Sequence, residues 1–113
     1  MDTLLDFEHI EMITDGDKNF LKQLIDIYKE DCEERLVTIK NAIEAKSSSD
    51  LYREAHTFKG ASSNLGAIQA TKLSANLENL GRDESFENSE NIYENLKEIY
   101  HNTVIELENF LNS

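Results

Sequence analysis

His56, Lys59 and Gly60 stand within about one helical turn of one another in the run Ala55-His56-Thr57-Phe58-Lys59-Gly60-Ala61-Ser62-Ser63-Asn64-Leu65-Gly66. At about 100° per residue, Leu51, Ala55, Phe58, Ser62 and Leu65 fall on one narrow stripe, the side a helix buries. His56 points about 140° away from Leu51 on the same helical wheel, with Tyr52, Lys59, Gly60 and Ser63 around it. An imidazole in water is a nucleophile, and an ammonium three residues on can hold an anion attached to it. Gly60 costs the helix roughly 0.5 to 1 kcal/mol relative to alanine. A glycine there reads as clearance: any side chain one turn beyond His56 would crowd the ring. Ser63, about two turns along, adds a hydroxyl to the face, and Asn64 reaches it less directly. The chemistry that uses such a set is the acceptance and release of a phosphoryl group.

The elements that must present these residues are helices. The 113 residues contain no proline and only four glycines, and they are rich in Leu, Ile, Glu, Lys and Asn, which favours an all-α fold in one domain spanning residues 1–113. Phe7, Ile10 and Ile13 mark a short first helix capped by Asp6, which serves as a lid. Asp15-Gly16-Asp17 breaks the chain, and Asp17 caps a long helix running to about Lys46 along Leu21, Ile25, Tyr28, Cys32, Leu36, Ile39 and Ile43. A second stripe, Phe20, Leu24 and Ile27, makes the first half of that helix apolar on two sides. The extra side must meet the first helix or a partner protein.

Ser47-Ser48-Ser49-Asp50 is a turn with a ready cap, from which the His56 helix runs to about Leu65 and ends at Gly66. Ala70, Leu73, Leu77 and Leu80 give the inward stripe of a further helix that Gly81 closes before Arg82. Residues 83–89 read as a loop. Ile92, Leu96, Ile99, Thr103, Leu107 and Phe110 mark a last long helix. Four main helices with short connections are most economically buried as an antiparallel four-helix bundle, with the short N-terminal helix in addition.

The net charge of −12 argues against nucleic acid or an anionic membrane as partner and leaves proteins. No apolar run approaches a bilayer span, and the acidic N-terminus lacks the character of a signal peptide, so a soluble, cytoplasmic protein is expected. The single Cys32 lies in an apolar stripe and reads as a small buried hydrophobe. His9 and His101 lack companions and are read as inert. Tyr28, Phe58, Tyr100 and Phe110 read as core or near-core. A lone histidine beside a lysine is a poor cation ligand set, so no metal site is expected.

His56-Thr57-Phe58-Lys59-Gly60, with Leu65-Gly66-Ala67 after it, resembles the signature of histidine-containing phosphotransfer domains of multistep two-component relays. Asn76-Leu77-Glu78-Asn79-Leu80-Gly81-Arg82 resembles the family's second stretch on the following helix, and the expected bundle fits the family's fold across essentially the whole chain. The resemblance implies a phosphorelay intermediate. His56 would receive a phosphoryl group on its outer ring nitrogen from the aspartyl phosphate of one receiver domain and pass it to the aspartate of another. The domain would bind no ATP and no cofactor, since no Gly-rich phosphate loop or kinase motif occurs, and Mg²⁺ would belong to the receiver. Autokinase activity is not expected. Two other readings stay open: a helical module that docks receivers without transfer, and the substrate domain of a chemotaxis-type kinase.

The hairpin at Gly66 returns Asn76 and Glu78 to the level of His56. Some family members place a glutamine near here to bond the inner ring nitrogen, whereas this chain offers Glu78, which can orient the ring by accepting its proton. Arg82, one turn on, is expected to pair with Glu78, the alternative being a contact to phosphate. Tyr52 is expected to shield the imidazole. Arg53 and Lys59, with Lys22 and Lys18 at the rim, would offset the global repulsion from an acidic receiver, and Phe20, Leu24 and Ile27 would supply docking contact. A monomer is expected, because the four stripes satisfy one another.

Overall fold

A computed structural model describes residues 3–113 of the chain. The described residues form five helices: α1 (Phe7–Thr14), α2 (Lys18–Ala45), α3 (Ser48–Asn64), α4 (Ile68–Arg82) and α5 (Ser89–Leu111). The helix starts are chemical. Asp6, Asp17 and Ser47 each stand in extended backbone and accept a hydrogen bond from the amide three residues on, which satisfies one of the orphan donors of α1, α2 and α3. Asp15 and Lys46 turn the chain in left-handed conformation after α1 and α2, and Gly66 does so at φ 77° after α3.

Cross-helix contacts give the directions. On α2 and α3, Tyr28 bonds Ser62 while Arg35 bonds Glu54, so the two helices run antiparallel. Glu78 of α4 meets His56, and Gly81 lies against Tyr52 and Ser48, which makes α3 and α4 antiparallel. Tyr100 of α5 reaches Lys29 and Glu33 of α2, whereas Lys18 reaches the carbonyl of Leu111. The four long helices thus form the expected antiparallel bundle, with α1 across one end.

The core is built from the apolar stripes of the four long helices, with Phe58, Tyr28 and Tyr100 as an aromatic cluster at centroid separations of 5.7 Å for Tyr28–Tyr100 and 6.0 Å for Phe58–Tyr100. Such pairs contribute about 0.5–1.5 kcal/mol each beyond their burial. Cys32 is buried, and desolvation pushes its thiol up to about 12, which leaves it an inert core residue. Phe110 is half-buried and packs against Phe7 of α1 in a tilted arrangement, 5.1 Å between ring centroids and 44° between planes. Among the described residues no helix is long and apolar enough to cross a membrane.

Two stripes are centred differently from the expectation. On α4 the fully buried positions are Ala70, Ser74, Leu77, Glu78 and Gly81, while Leu73 and Leu80 are only half-buried. On α5 the centre passes through Tyr93 and Tyr100, with Ile92 and Ile99 at its edge. The reason on α4 is close approach to α3: small residues face the neighbouring backbone. Gly81 does not close α4 but lies inside it, and a Cβ there would come within 2.5 Å of the Tyr52 amide nitrogen and 2.9 Å of the Ser48 carbonyl oxygen. Ser89, expected in the loop, is the first residue of α5.

The N-terminal segment is a clamp on the α3–α4 hairpin. Leu5 bridges Ala67 in antiparallel register, with the Asp6 amide donating to the Gly66 carbonyl at 2.9 Å and the Ile68 amide donating to Leu4 at 2.9 Å. That second bond serves α4, which has no side-chain cap of its own. His9, read from sequence as a partnerless side chain, donates from Nε2 to the carbonyl of Asn64 at 2.9 Å. One short segment therefore satisfies orphan groups at the end of α3 and the start of α4.

Candidate functional site

α3 buries Leu51, Ala55, Phe58 and Ser62, and its helical period then turns His56 outward. The His56 side chain is 61% exposed. Its Nδ1 contacts Glu78 Oε2, and Lys59 Nζ donates to the other oxygen, Oε1, at 2.6 Å. The Glu78 side chain is only 3% exposed. A carboxylate is an acceptor, so the proton of the neutral ring resides on Nδ1 and the lone pair of Nε2 faces outward.

Burial works to raise the Glu78 carboxyl, but the hydrogen bonds from Lys59 and His56 and their charges prevail, and it is held below the usual carboxylate range. The site thus contains a buried anion with two donors on two oxygens. This is the arrangement in which a buried charge is tolerated.

Tyr52, one turn before His56, stacks its ring on the imidazole at 6.0 Å between centroids and 13° between planes. Arg82 lies over the Tyr52 ring, its guanidinium carbon 5.7 Å from the Tyr52 centroid. The expected Arg82–Glu78 pair does not form. Arg82 donates from Nη1 to Asn79 at 2.9 Å instead, because Glu78 turns into the α3–α4 contact and Arg82 stays on the outer face. Asn76 is exposed on α4 and makes no hydrogen bond to the imidazole, whose side-chain partner is Glu78.

Gly60 stands on the exposed face, but a Cβ at this position would have nothing within 4 Å. Crowding of the imidazole by the first atom of a side chain therefore does not explain the glycine; the space it leaves is open to the exterior. Ser63 lines a shallow cavity with His9, Gly66 and Lys72 and is not among the partners of the imidazole. Seven residues of helix rise, about 10 Å, separate the two. Asn64 contributes its carbonyl to His9, and it also lines a groove of 530 Å³ between α2 and α3.

That groove receives Leu24 and Ile27 from α2 and Ala61 from α3, with Glu30, Asp31 and Glu34 along it. Ile27 is 64% exposed and Phe20 41% exposed, so the second apolar stripe of α2 is left uncovered over much of its length by α1. The cationic rim takes a different form from the one expected. Lys22 pairs with Asp26 at 3.0 Å, Arg53 with Asp50 at 2.8 Å, and Lys18 ties to the carbonyls of Leu111 and Ser113 at the C-terminus. Local neutrality replaces a positive patch: α3 and α4 together carry Arg53, Lys59, Lys72 and Arg82 against Asp50, Glu54 and Glu78, while the rest of the chain bears the net negative charge. An acidic partner meets least repulsion on this face.

The role of Glu78 as common acceptor was half-legible in sequence, from its place across the hairpin. The His9–Asn64 bond and the Gly81–Tyr52 approach had no sequence signal beyond the presence of a histidine and a glycine.

The chain matches the Hpt domain family over residues 23–110. It is 31% identical over 84 residues to the phosphorelay intermediate protein rdeA of Dictyostelium discoideum, a stretch that is 74% of this chain and 33% of that protein. The chain thus spans about a third of the length of this curated relative. Its fold is similar to the crystal structure of histidine-containing phosphotransfer protein B from Pseudomonas aeruginosa PAO1, with a TM-score of 0.91 and 24% identity over 99% of this chain and 97% of the other. With the family match extending over most of its length, from the first turns of α2 through α5, the chain belongs to the Hpt domain family.

Proposed function

We propose that this domain is a phosphorelay intermediate in which His56 Nε2 accepts a phosphoryl group from the aspartyl phosphate of one receiver domain and delivers it to the aspartate of another. The reading rests above all on the exposed imidazole whose inner nitrogen is bonded to a buried carboxylate. The family and the phosphorelay relative support it.

The chemistry follows from the tautomer. With the Nδ1 proton held by Glu78, the Nε2 lone pair attacks phosphorus while the P–O bond to the donor aspartate breaks. No proton moves; the ring becomes cationic, and Glu78 compensates the charge as it develops. Onward transfer breaks the P–N bond, and the ring leaves neutral with its Nδ1 proton still in place. A ring already protonated at Nδ1 is the better leaving group, so Glu78 favours release as well as capture. Tyr52 fixes the ring plane, Lys59 compensates phosphoryl charge, and Gly60 leaves room for the receiver. Phe20, Leu24 and Ile27 supply apolar docking area, with Arg53, Lys22, Asn64 and Arg82 at the rim. Ser63 contributes at the edge of the same face.

The domain acts as a carrier without autokinase activity, as a monomer in the cytoplasm, and holds no cofactor itself. Mg²⁺ belongs to the receiver. Incubation with a ³²P-labelled receiver tests the assignment: acid-labile, alkali-stable label is expected on the wild-type chain and none on His56→Gln. Equal labelling of both proteins would refute His56 as the acceptor.

A further inference from the structure

Lys59 and His56 share one carboxylate in a way that creates a conflict for the carrier reading. If Lys59 is to compensate the charge of a phosphoryl group on Nε2, it stands in the wrong place at rest: its ammonium donates to Glu78 Oε1 at 2.6 Å, while the ring's inner nitrogen contacts Oε2 of the same group. The ammonium is thus tied to the carboxylate that holds the Nδ1 side of the ring. Among the described residues it is also the one ammonium or guanidinium that pairs with Glu78. Arg82 is engaged by Asn79 and Arg53 by Asp50, so neither takes its place.

Charge balance resolves the conflict. In the free protein the buried anion has one full cation, Lys59, and one neutral donor, the Nδ1–H of the ring. When Nε2 bonds to phosphorus and Nδ1 keeps its proton, the ring itself becomes the cation facing Glu78. The carboxylate then has a full ion pair without Lys59, and a phosphoryl dianion has appeared on the other side of the ring. The side chain of Lys59 is 31% exposed, so it has solvent-side freedom to move, whereas Glu78 is fixed by burial.

We infer that Glu78 is a positioning residue that works as an exchange latch. It holds Lys59 while His56 is unmodified and releases it onto the phosphoryl group once the ring turns cationic. Lys59 then contributes to the persistence of the phosphohistidine, and its contribution is limited by the competing hold of Glu78. The latch rests on the carrier reading and concerns what regulates that site.

The test is ¹⁵N and ³¹P NMR of the full chain before and after phosphorylation by a labelled receiver, with unmodified Glu78→Gln as the reference for a released ammonium. The expected result is that the Lys59 ammonium signal moves away from its Glu78-bound position on phosphorylation, while the His56 Nδ1 proton stays bonded. A phosphohistidine ³¹P signal with the Lys59 signal unmoved overturns the latch and leaves the carrier reading intact. Absence of any phosphohistidine signal overturns the carrier reading, and the latch with it.

A mutant cycle gives an independent readout. If Glu78 restrains Lys59, Lys59→Met lowers the equilibrium phosphoryl occupancy of His56 more in the Glu78→Gln background than in the wild type, by about threefold or more. Equal effects in both backgrounds overturn the latch.

Discussion

Gly81 lies so close to Tyr52 that a Cβ on the glycine would stand 2.5 Å from the Tyr52 amide nitrogen and 2.8 Å from its α-carbon. The contact is backbone to backbone, so no side chain can rotate away. It sets the spacing of α3 and α4 one turn from His56, on the helix pair that delivers the imidazole to Glu78. Gly81→Ala is therefore expected to force the helices apart and cost about 1–3 kcal/mol, seen as a lowered midpoint in urea unfolding. A variant as stable as the wild type would show that the approach is relieved without cost.

Gly60 predicts the opposite sign. With nothing within 4 Å of a Cβ, Gly60→Ala gains helix propensity of about 0.5–1 kcal/mol, and thermal unfolding should move upward. Phosphotransfer from a receiver should nevertheless slow, because the added methyl group takes up open space on the face that the receiver must dock against. Unchanged transfer in a stabilised protein would remove docking clearance as the explanation for this glycine.

Glu78 makes stability depend on acid. Its carboxyl is held below its ordinary value of 4.5, so the folded state binds the proton less readily than the unfolded chain. The stabilisation is then complete above the ordinary value and is lost as pH falls through the lowered one. Unfolding free energies measured from neutrality downward should be highest for the wild type near neutral pH, with the curves of wild type and Glu78→Gln converging below about pH 4.5. A gap that stays constant through the acid range would contradict this sign.

Ile27 separates docking from folding. It is 64% exposed on α2 beside the groove that Ala61 and Asn64 of α3 complete, so Ile27→Ser should change stability by no more than about 0.5 kcal/mol. Receiver affinity should fall, by about fivefold or more if the residue is a central contact. Titration with the receiver reads this directly, and unaltered binding would move the docking surface off this stripe.

Local chemistry determined much of this protein. Asp6, Asp17 and Ser47 cap helices because a short oxygen-bearing side chain satisfies amides three residues away, whatever the rest of the chain does. The 3.6-residue period turns His56 outward and Phe58 inward for the same local reason. What required the tertiary structure was everything set by the distance and rotation between helices. A hairpin fixes the level at which α4 returns past α3 but leaves its rotation open. Rotation decides that Glu78 points inward to His56 and Lys59 while Arg82 remains outside, and that Gly81 is a contact surface instead of a terminator. The two helix-end bonds from Leu4 and His9 likewise join residues more than fifty positions apart. Pairing over that separation depends on where the folded bundle brings the N-terminal segment, which no pattern of neighbouring residues encodes.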